Sequence, residues 1–91
     1  MLTPDYSSKF KKDLKLIEKR SMDMNKILAV MLDLVNEIPL QPMHKEHQLH
    51  GEYKGFIECH IEPDWLLVYK IDKAASEIYF TRTGTHSDIF E

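Results

Sequence analysis

The sequence predicts an α+β fold in which two N-terminal helices lie on one antiparallel β-sheet. Apolar residues recur at helical spacing up to Asn36, and β-branched and aromatic residues take over after Tyr53. A stretch carrying Pro39 and Pro42 separates the two regimes. The length of 91 residues, with 43% hydrophobic and 30% charged side chains, suits one folded domain over residues 1–91 with a single core.

Ser7 or Ser8 is placed to cap a helix running to about Arg20, because Phe10, Leu14 and Ile17 share one side while lysines fill the others. Ser21 to Asn36 repeats the pattern through Met24, Ile27, Val30, Met31, Leu34 and Val35, and the following prolines stop it. Met22, Met24 and Met31 are expected to pack into the core. Glu37 to Gly51 reads as a loop. Three antiparallel strands follow: Phe56 to Ile61, Trp65 to Ile71 and Ile78 to Thr83, joined by turns at Glu62-Pro63-Asp64 and at Asp72 to Ser76. Alternation places Ile57, Cys59 and Ile61 on one face and Phe56, Glu58 and His60 on the other. Cys59 is therefore expected to be buried, and His60 to face away from the helix-covered core. Gly84 ends the last strand, and Ser87 to Phe90 suffice for a short C-terminal turn or helix.

No apolar run approaches the roughly 20 residues of a membrane span, and Met1 to Lys15 carries charges where a signal peptide would be apolar. A cytoplasmic location is the expectation. One cysteine excludes an internal disulfide and a cysteine-built metal site. The net charge of -3 argues against holding nucleic acid by bulk electrostatics, yet residues 1–30 carry seven basic and four acidic side chains. The N-terminal third is thus cationic and the remainder acidic.

The C-terminal half concentrates His47, His60, Asp64, Arg82 and His86, with Trp65 and Phe90 nearby. Cleavage of RNA through its own 2'-hydroxyl needs a base for that proton, positive charge on the phosphate and an acid for the leaving 5'-oxygen. Imidazole titrates close to neutrality and serves either direction of transfer. The guanidinium fork of Arg82 can grip two phosphate oxygens, and the flat ring of Trp65 can support an unstacked base. His44, His47 and His50 lie three residues apart, but Pro39 and Pro42 just before them disfavour helical geometry and no carboxylate cluster completes a shell. Neither a metal site nor a cofactor is expected.

The runs His47-Gln48-Leu49-His50-Gly51, Tyr53-Lys54-Gly55-Phe56, Cys59-His60-Ile61-Glu62-Pro63-Asp64-Trp65 and Arg82-Thr83-Gly84-Thr85-His86-Ser87-Asp88-Ile89-Phe90 resemble the YafQ branch of the RelE toxin superfamily. Phe10-Lys11-Lys12-Asp13-Leu14-Lys15 extends the resemblance to the first helix. The resemblance implies the toxin of a type II toxin-antitoxin pair, a metal-independent endoribonuclease that cuts messenger RNA in the A site of the 70S ribosome. It further implies a DinJ/RelB-like antitoxin, through which alone the complex would reach operator DNA. By position, His86 matches the family's catalytic histidine, Arg82 its phosphate-binding arginine and Asp64 its acidic residue. His47 and His60 match its other functional histidines, and Trp65 and Phe90 its aromatic positions. Lys11, Lys12 and Lys15 are candidate contacts to ribosomal RNA. A ParE-like toxin that binds DNA gyrase without catalysis is the alternative, but that class lacks the histidine set; an inert RNA-binding or partner-binding domain is another.

Overall fold

A computed structural model describes residues 1–90; Glu91, the last residue of the expected single domain, lies outside them. The chain runs β1 (Thr3–Tyr6), α1 (Ser8–Lys19), α2 (Met24–Val35), β2 (His47–Gln48), β3 (Ile57–Glu62), β4 (Trp65–Asp72), β5 (Glu77–Gly84) and α3 (His86–Phe90). Single 3-10 turns at Pro42–His44 and Gly51–Tyr53 punctuate the long connection before β3.

Ser7 starts α1: its Oγ accepts the Phe10 amide at 2.9 Å and donates to the Thr81 carbonyl at 2.7 Å, so the cap also ties the helix to β5. The second helix begins at Met24 rather than Ser21. Ser21 is left-handed (φ 58), and Asp23 is the actual cap, accepting the Asn25 amide at 3.0 Å. Beyond α2, Glu37 also turns left-handed (φ 58), which ends the helix before the prolines are reached.

The sheet has five strands in the order β1-β5-β4-β3-β2, correcting the expected three. β3, β4 and β5 form the antiparallel meander read from the sequence, while β1 adds parallel to β5 at one edge and β2 adds two residues at the other. All four β1 side chains are exposed, so no apolar alternation marks them; the buried anchor is Leu2, one residue earlier. Pro4 is tolerated because β1 is an edge strand.

Both faces of the sheet are covered. On one, Phe10, Ile17, Ile27, Val30, Met31 and Leu34 from the helices meet Cys59, Ile61, Trp65, Leu67, Tyr69, Ile78 and Phe80. Met22 and Met24 join this core from its margin, as expected. Cys59 is fully buried, and burial pushes its thiol up to about 12. On the other face, Leu66, Val68 and Ile89 form a smaller cluster with Leu49 and Phe56. The loop before β2 is fastened where Tyr69 donates its hydroxyl proton to Glu46.

Phe10 packs in a triangle with Tyr6 and Phe80, with ring centroids 6.0 and 5.8 Å away, and is fully buried. Phe10→Ala is expected to lower the unfolding free energy by about 3–5 kcal/mol in urea titration.

Candidate active site

Sheet register builds the site on the face away from α1 and α2. Glu58 of β3 lies opposite His47 on β2 and Val68 on β4, and Val68 lies opposite Arg82 on β5. One rung further, His60 lies opposite Leu66, which lies opposite Gly84. Because side chains alternate across a strand, the functional groups of these two rungs project to the same side. Ile89 of α3 packs onto Leu66 and Val68 and brings His86 alongside. Three imidazoles then form a line, with ring centroids 6.4 Å apart for His47 and His60 and 6.0 Å for His60 and His86.

The hydrogen bonds define which nitrogen of each ring is committed. His86 Nδ1 donates to Asp64 Oδ1 at 2.6 Å, and the His86 backbone N–H reaches the same oxygen at 3.1 Å. The ring and backbone N–H groups of His86 hold the Asp64 carboxyl below its ordinary value. Asp64 is therefore an ionised acceptor, and Nε2 of His86 is left for chemistry. His60 Nδ1 faces the Pro63 carbonyl at 3.2 Å and His47 Nδ1 the Lys45 carbonyl at 2.8 Å. A carbonyl only accepts, so both Nδ1 atoms carry the hydrogen and both rings turn Nε2 inward. The two Nε2 atoms converge on one oxygen, Glu58 Oε1, at 3.7 Å from His47 and 3.3 Å from His60. Glu58 is 5% exposed, and a buried carboxylate is costly without a cationic or proton-donating partner. One buried carboxylate oxygen thus faces two imidazole nitrogens.

Arg82 flanks the line. Its Nε and Nη2 donate to Asp13 at 2.8 and 3.3 Å, and Nη2 also donates to the Asp88 carbonyl at 3.1 Å. The Asp13 contact raises its already high pKa, so Arg82 remains a cation. The fork edge expected to grip phosphate is thus occupied by Asp13, and among the described residues Nη1 has no hydrogen-bond partner.

A family description, "Bacterial toxin of type II toxin-antitoxin system, YafQ", matches residues 2–91. The mRNA interferase toxin YafQ of Escherichia coli K12 is 46% identical over 88 residues, covering 94% of this chain and 92% of that protein. The chain belongs to the YafQ toxin family. A chain in the crystal structure of the E. coli DinJ–YafQ complex superposes with a TM-score of 0.92 at 41% identity, covering all of both chains. A metal-bound toxin from Helicobacter pylori superposes with a TM-score of 0.93 at 44% identity, covering 99% of this chain and all of that one. Among the described residues of this YafQ-family chain, no group of three or more His, Cys, Asp or Glu side chains is arranged to hold a metal ion.

The remaining sequence expectations sort by exposure. Phe90 is 40% exposed and meets Tyr53 edge-on at 5.3 Å, leaving one face toward His86 and solvent. Trp65 is a correction: it is 1% exposed, lies in the main core and donates its indole N–H to Thr83 Oγ1 at 3.0 Å, so it cannot stack on a base in this arrangement. Lys11, Lys12 and Lys15 are exposed on α1, away from the line of histidines in sequence and in fold; among the described residues none is in an ion pair. His44 is committed through Nδ1 to the His60 carbonyl at 2.7 Å, a contact that steadies β3. A cleft of about 800 Å³ opens beside His47, Ile57 and Lys70 and does not include His86 or Arg82.

Four residues entered the site without having been assigned to it from the sequence: Glu58, Asp13, Asp88 and Arg20. Glu58 had a visible signal, since it alternates onto the same strand face as His60. Asp88 anchors α3: its carboxylate receives Arg20 at 2.6 and 3.1 Å and the Thr85 amide at 2.9 Å. Gly84, at φ 151, leaves room for it, since a Cβ there would lie 2.8 Å from Asp88 Oδ2.

The Arg20 pairing, helped by the Thr85 amide, holds the Asp88 carboxyl well below the ordinary carboxylate range. A depressed folded-state value contributes stability above the ordinary carboxylate value and loses it as pH falls through the folded one. Asp88→Asn is therefore expected to be less stable than wild type near pH 7, with the gap closing as pH is lowered from about 4 toward 2. Thermal melts of both proteins across that range measure it; a pH-independent gap would exclude the linkage.

Proposed function

We propose that this chain is a ribosome-dependent endoribonuclease that cuts translated messenger RNA in the A site and leaves a 2',3'-cyclic phosphate. The observation that carries the reading is the line of His47, His60 and His86 with each Nδ1 committed to an acceptor and Arg82 at its flank. In that reading the 2'-oxygen attacks phosphorus as Nε2 of His60 or His47 takes its proton, which Glu58 helps to hold. The bond from phosphorus to the 5'-oxygen breaks as His86, oriented by Asp64, gives that oxygen a proton from Nε2. Arg82 meets the charge that builds on the phosphoryl oxygens, and Phe90 offers a ring to the neighbouring base. Acid, base and charge are all supplied by side chains, so the chemistry is proposed to run without a metal.

The relative crystallised with DinJ supports a DinJ/RelB-like antitoxin as the partner that silences this chain, and contact with operator DNA would pass through that partner. A ribosomal target implies action in the cytoplasm. Gyrase binding of the ParE kind has no specific observation in its favour.

Primer extension on a defined message held on 70S ribosomes tests the reading. Site-specific cleavage that survives EDTA is expected, with a loss of about 10²-fold or more for His86→Ala and for Arg82→Ala. No cleavage by wild type would sink the proposal, and cleavage abolished by EDTA would remove its metal-free form. Replacing Lys11, Lys12 and Lys15 together by Glu is expected to weaken ribosome binding at least about tenfold at low salt and to flatten its salt dependence, read by co-sedimentation.

A further inference from the structure

The motif Phe10-Lys11-Lys12-Asp13-Leu14-Lys15 opens α1, and the proposed reaction gives Asp13 no chemical step. The side chain of Asp13 nevertheless points across to β5 and is largely buried there, with 12% of it exposed. Its Oδ2 accepts both the Arg82 Nε–H at 2.8 Å and the Thr83 backbone N–H at 3.1 Å, while Oδ1 accepts from Nη2 at 3.3 Å. With the Asp88 carbonyl taking the other Nη2 hydrogen, three of the five guanidinium donors are spent inside the protein. Among the described residues the two on Nη1 have no partner.

We propose that Asp13 is the positioning residue of the phosphate-binding arginine, fixing Arg82 so that its Nη1 edge, and no other, meets the scissile phosphate. The inference rests on the reading of Arg82 as the group that stabilises phosphoryl charge. An arginine side chain has many rotamers to give up, and a donor that must be ordered at the moment of reaction loses part of its value. Asp13 orders it beforehand. The same carboxylate also holds the backbone of Thr83, so the strand position and the side-chain direction of Arg82 are set by one group on α1. Both oxygens of the largely buried Asp13 are taken by Arg82 and Thr83, so in this proposal it acts through Arg82 and not on the RNA.

Asp13→Asn is the discriminating change because it alters one atom. The amide oxygen can still accept from Nε and from Thr83, but the NH₂ group now faces Nη2, donor against donor, and pushes the fork off its seat. Single-turnover cleavage on 70S ribosomes is to be measured for wild type, Asp13→Asn, Asp13→Glu and Arg82→Ala, each over a range of toxin concentrations. The expected result is a maximal rate reduced roughly tenfold or more in Asp13→Asn, a half-saturating concentration within about twofold of wild type, and partial recovery in Asp13→Glu, which keeps the charge. Wild-type rates from Asp13→Asn beside an inactive Arg82→Ala would overturn the role of Asp13 while leaving that of Arg82. Wild-type rates from Arg82→Ala would instead overturn the reading of Arg82. Should Asp13→Asn not fold, hydrogen exchange at Arg82 Nε–H in the wild-type protein decides: slow exchange supports the clasp, and exchange at the rate of a free guanidinium overturns it.

Discussion

A helix of five residues has too few internal hydrogen bonds to hold its own shape, and α3 exists because Ile89 is pressed onto Leu66 and Val68. That contact is the constraint on which the site depends. It gives the second face of the sheet an apolar patch to bury, and in closing it carries His86 to within 6.0 Å of His60. Asp88 adds direction to a contact that hydrophobic burial alone would leave free to slide, through Arg20 on one side and the Thr85 amide on the other. Gly84 is the residue that permits the close approach. The large core beneath α1 and α2 supplies stability; the small cluster above the sheet supplies geometry.

The electrostatics follow the same division. On the core side, burial holds the Cys59 thiol in its neutral form. On the open side each imidazole has one nitrogen tied to a fixed acceptor and one presented, and the acceptors differ in kind. Those of His47 and His60 are backbone carbonyls, which orient without adding charge; that of His86 is the ionised carboxylate of Asp64. Asp64 and Glu58 thus play different parts although both are acids. Asp64 is exposed and touches the committed nitrogen of His86, whereas Glu58 is buried and faces the presented nitrogens of the other two rings. On the proposed function, Glu58 stands beside the rings that would take the 2'-proton, and Asp64 beside the ring that would give one to the leaving oxygen.

Most of the helices and the β-meander were legible because their signals are periodic: Phe10, Leu14 and Ile17 mark a helix face, and Ile57, Cys59 and Ile61 a strand face. The two edge strands were not. β1 buries none of its side chains, and β2 is two residues long, so neither has a period to detect; both are held by main-chain pairing, β1 with β5 at the far end of the chain and β2 with the next strand, β3. In the site, histidines, Arg82 and Asp64 stand out by residue type, and the family resemblance adds their roles. Trp65 was misplaced because a tryptophan beside a turn reads equally well as a platform or as core, and only the partner Thr83, 18 residues on, distinguishes them. The role of Asp13 is not legible within its motif, since its partner lies 69 residues away and nothing local in the helix reports it.

Long-range pairing also resolves the charge pattern. Of the seven basic residues in the first 30, Arg20 is bound to Asp88 and Lys26 to Glu62, so the formal excess of that segment overstates the cationic surface available to a polyanion. What remains exposed is a lysine set on α1, where Lys11, Lys12 and Lys15 surround the inward-facing Asp13 in sequence. A protein of net charge -3 is repelled by RNA in most orientations, and the α1 side is where that repulsion is relieved. The helix that would turn toward ribosomal RNA is thus the same one that holds Arg82 through Asp13 and α3 through Arg20. On the proposed function, approach to the ribosome and the set of the phosphate-binding group are joined in one rigid element, and no separate segment has to transmit between them.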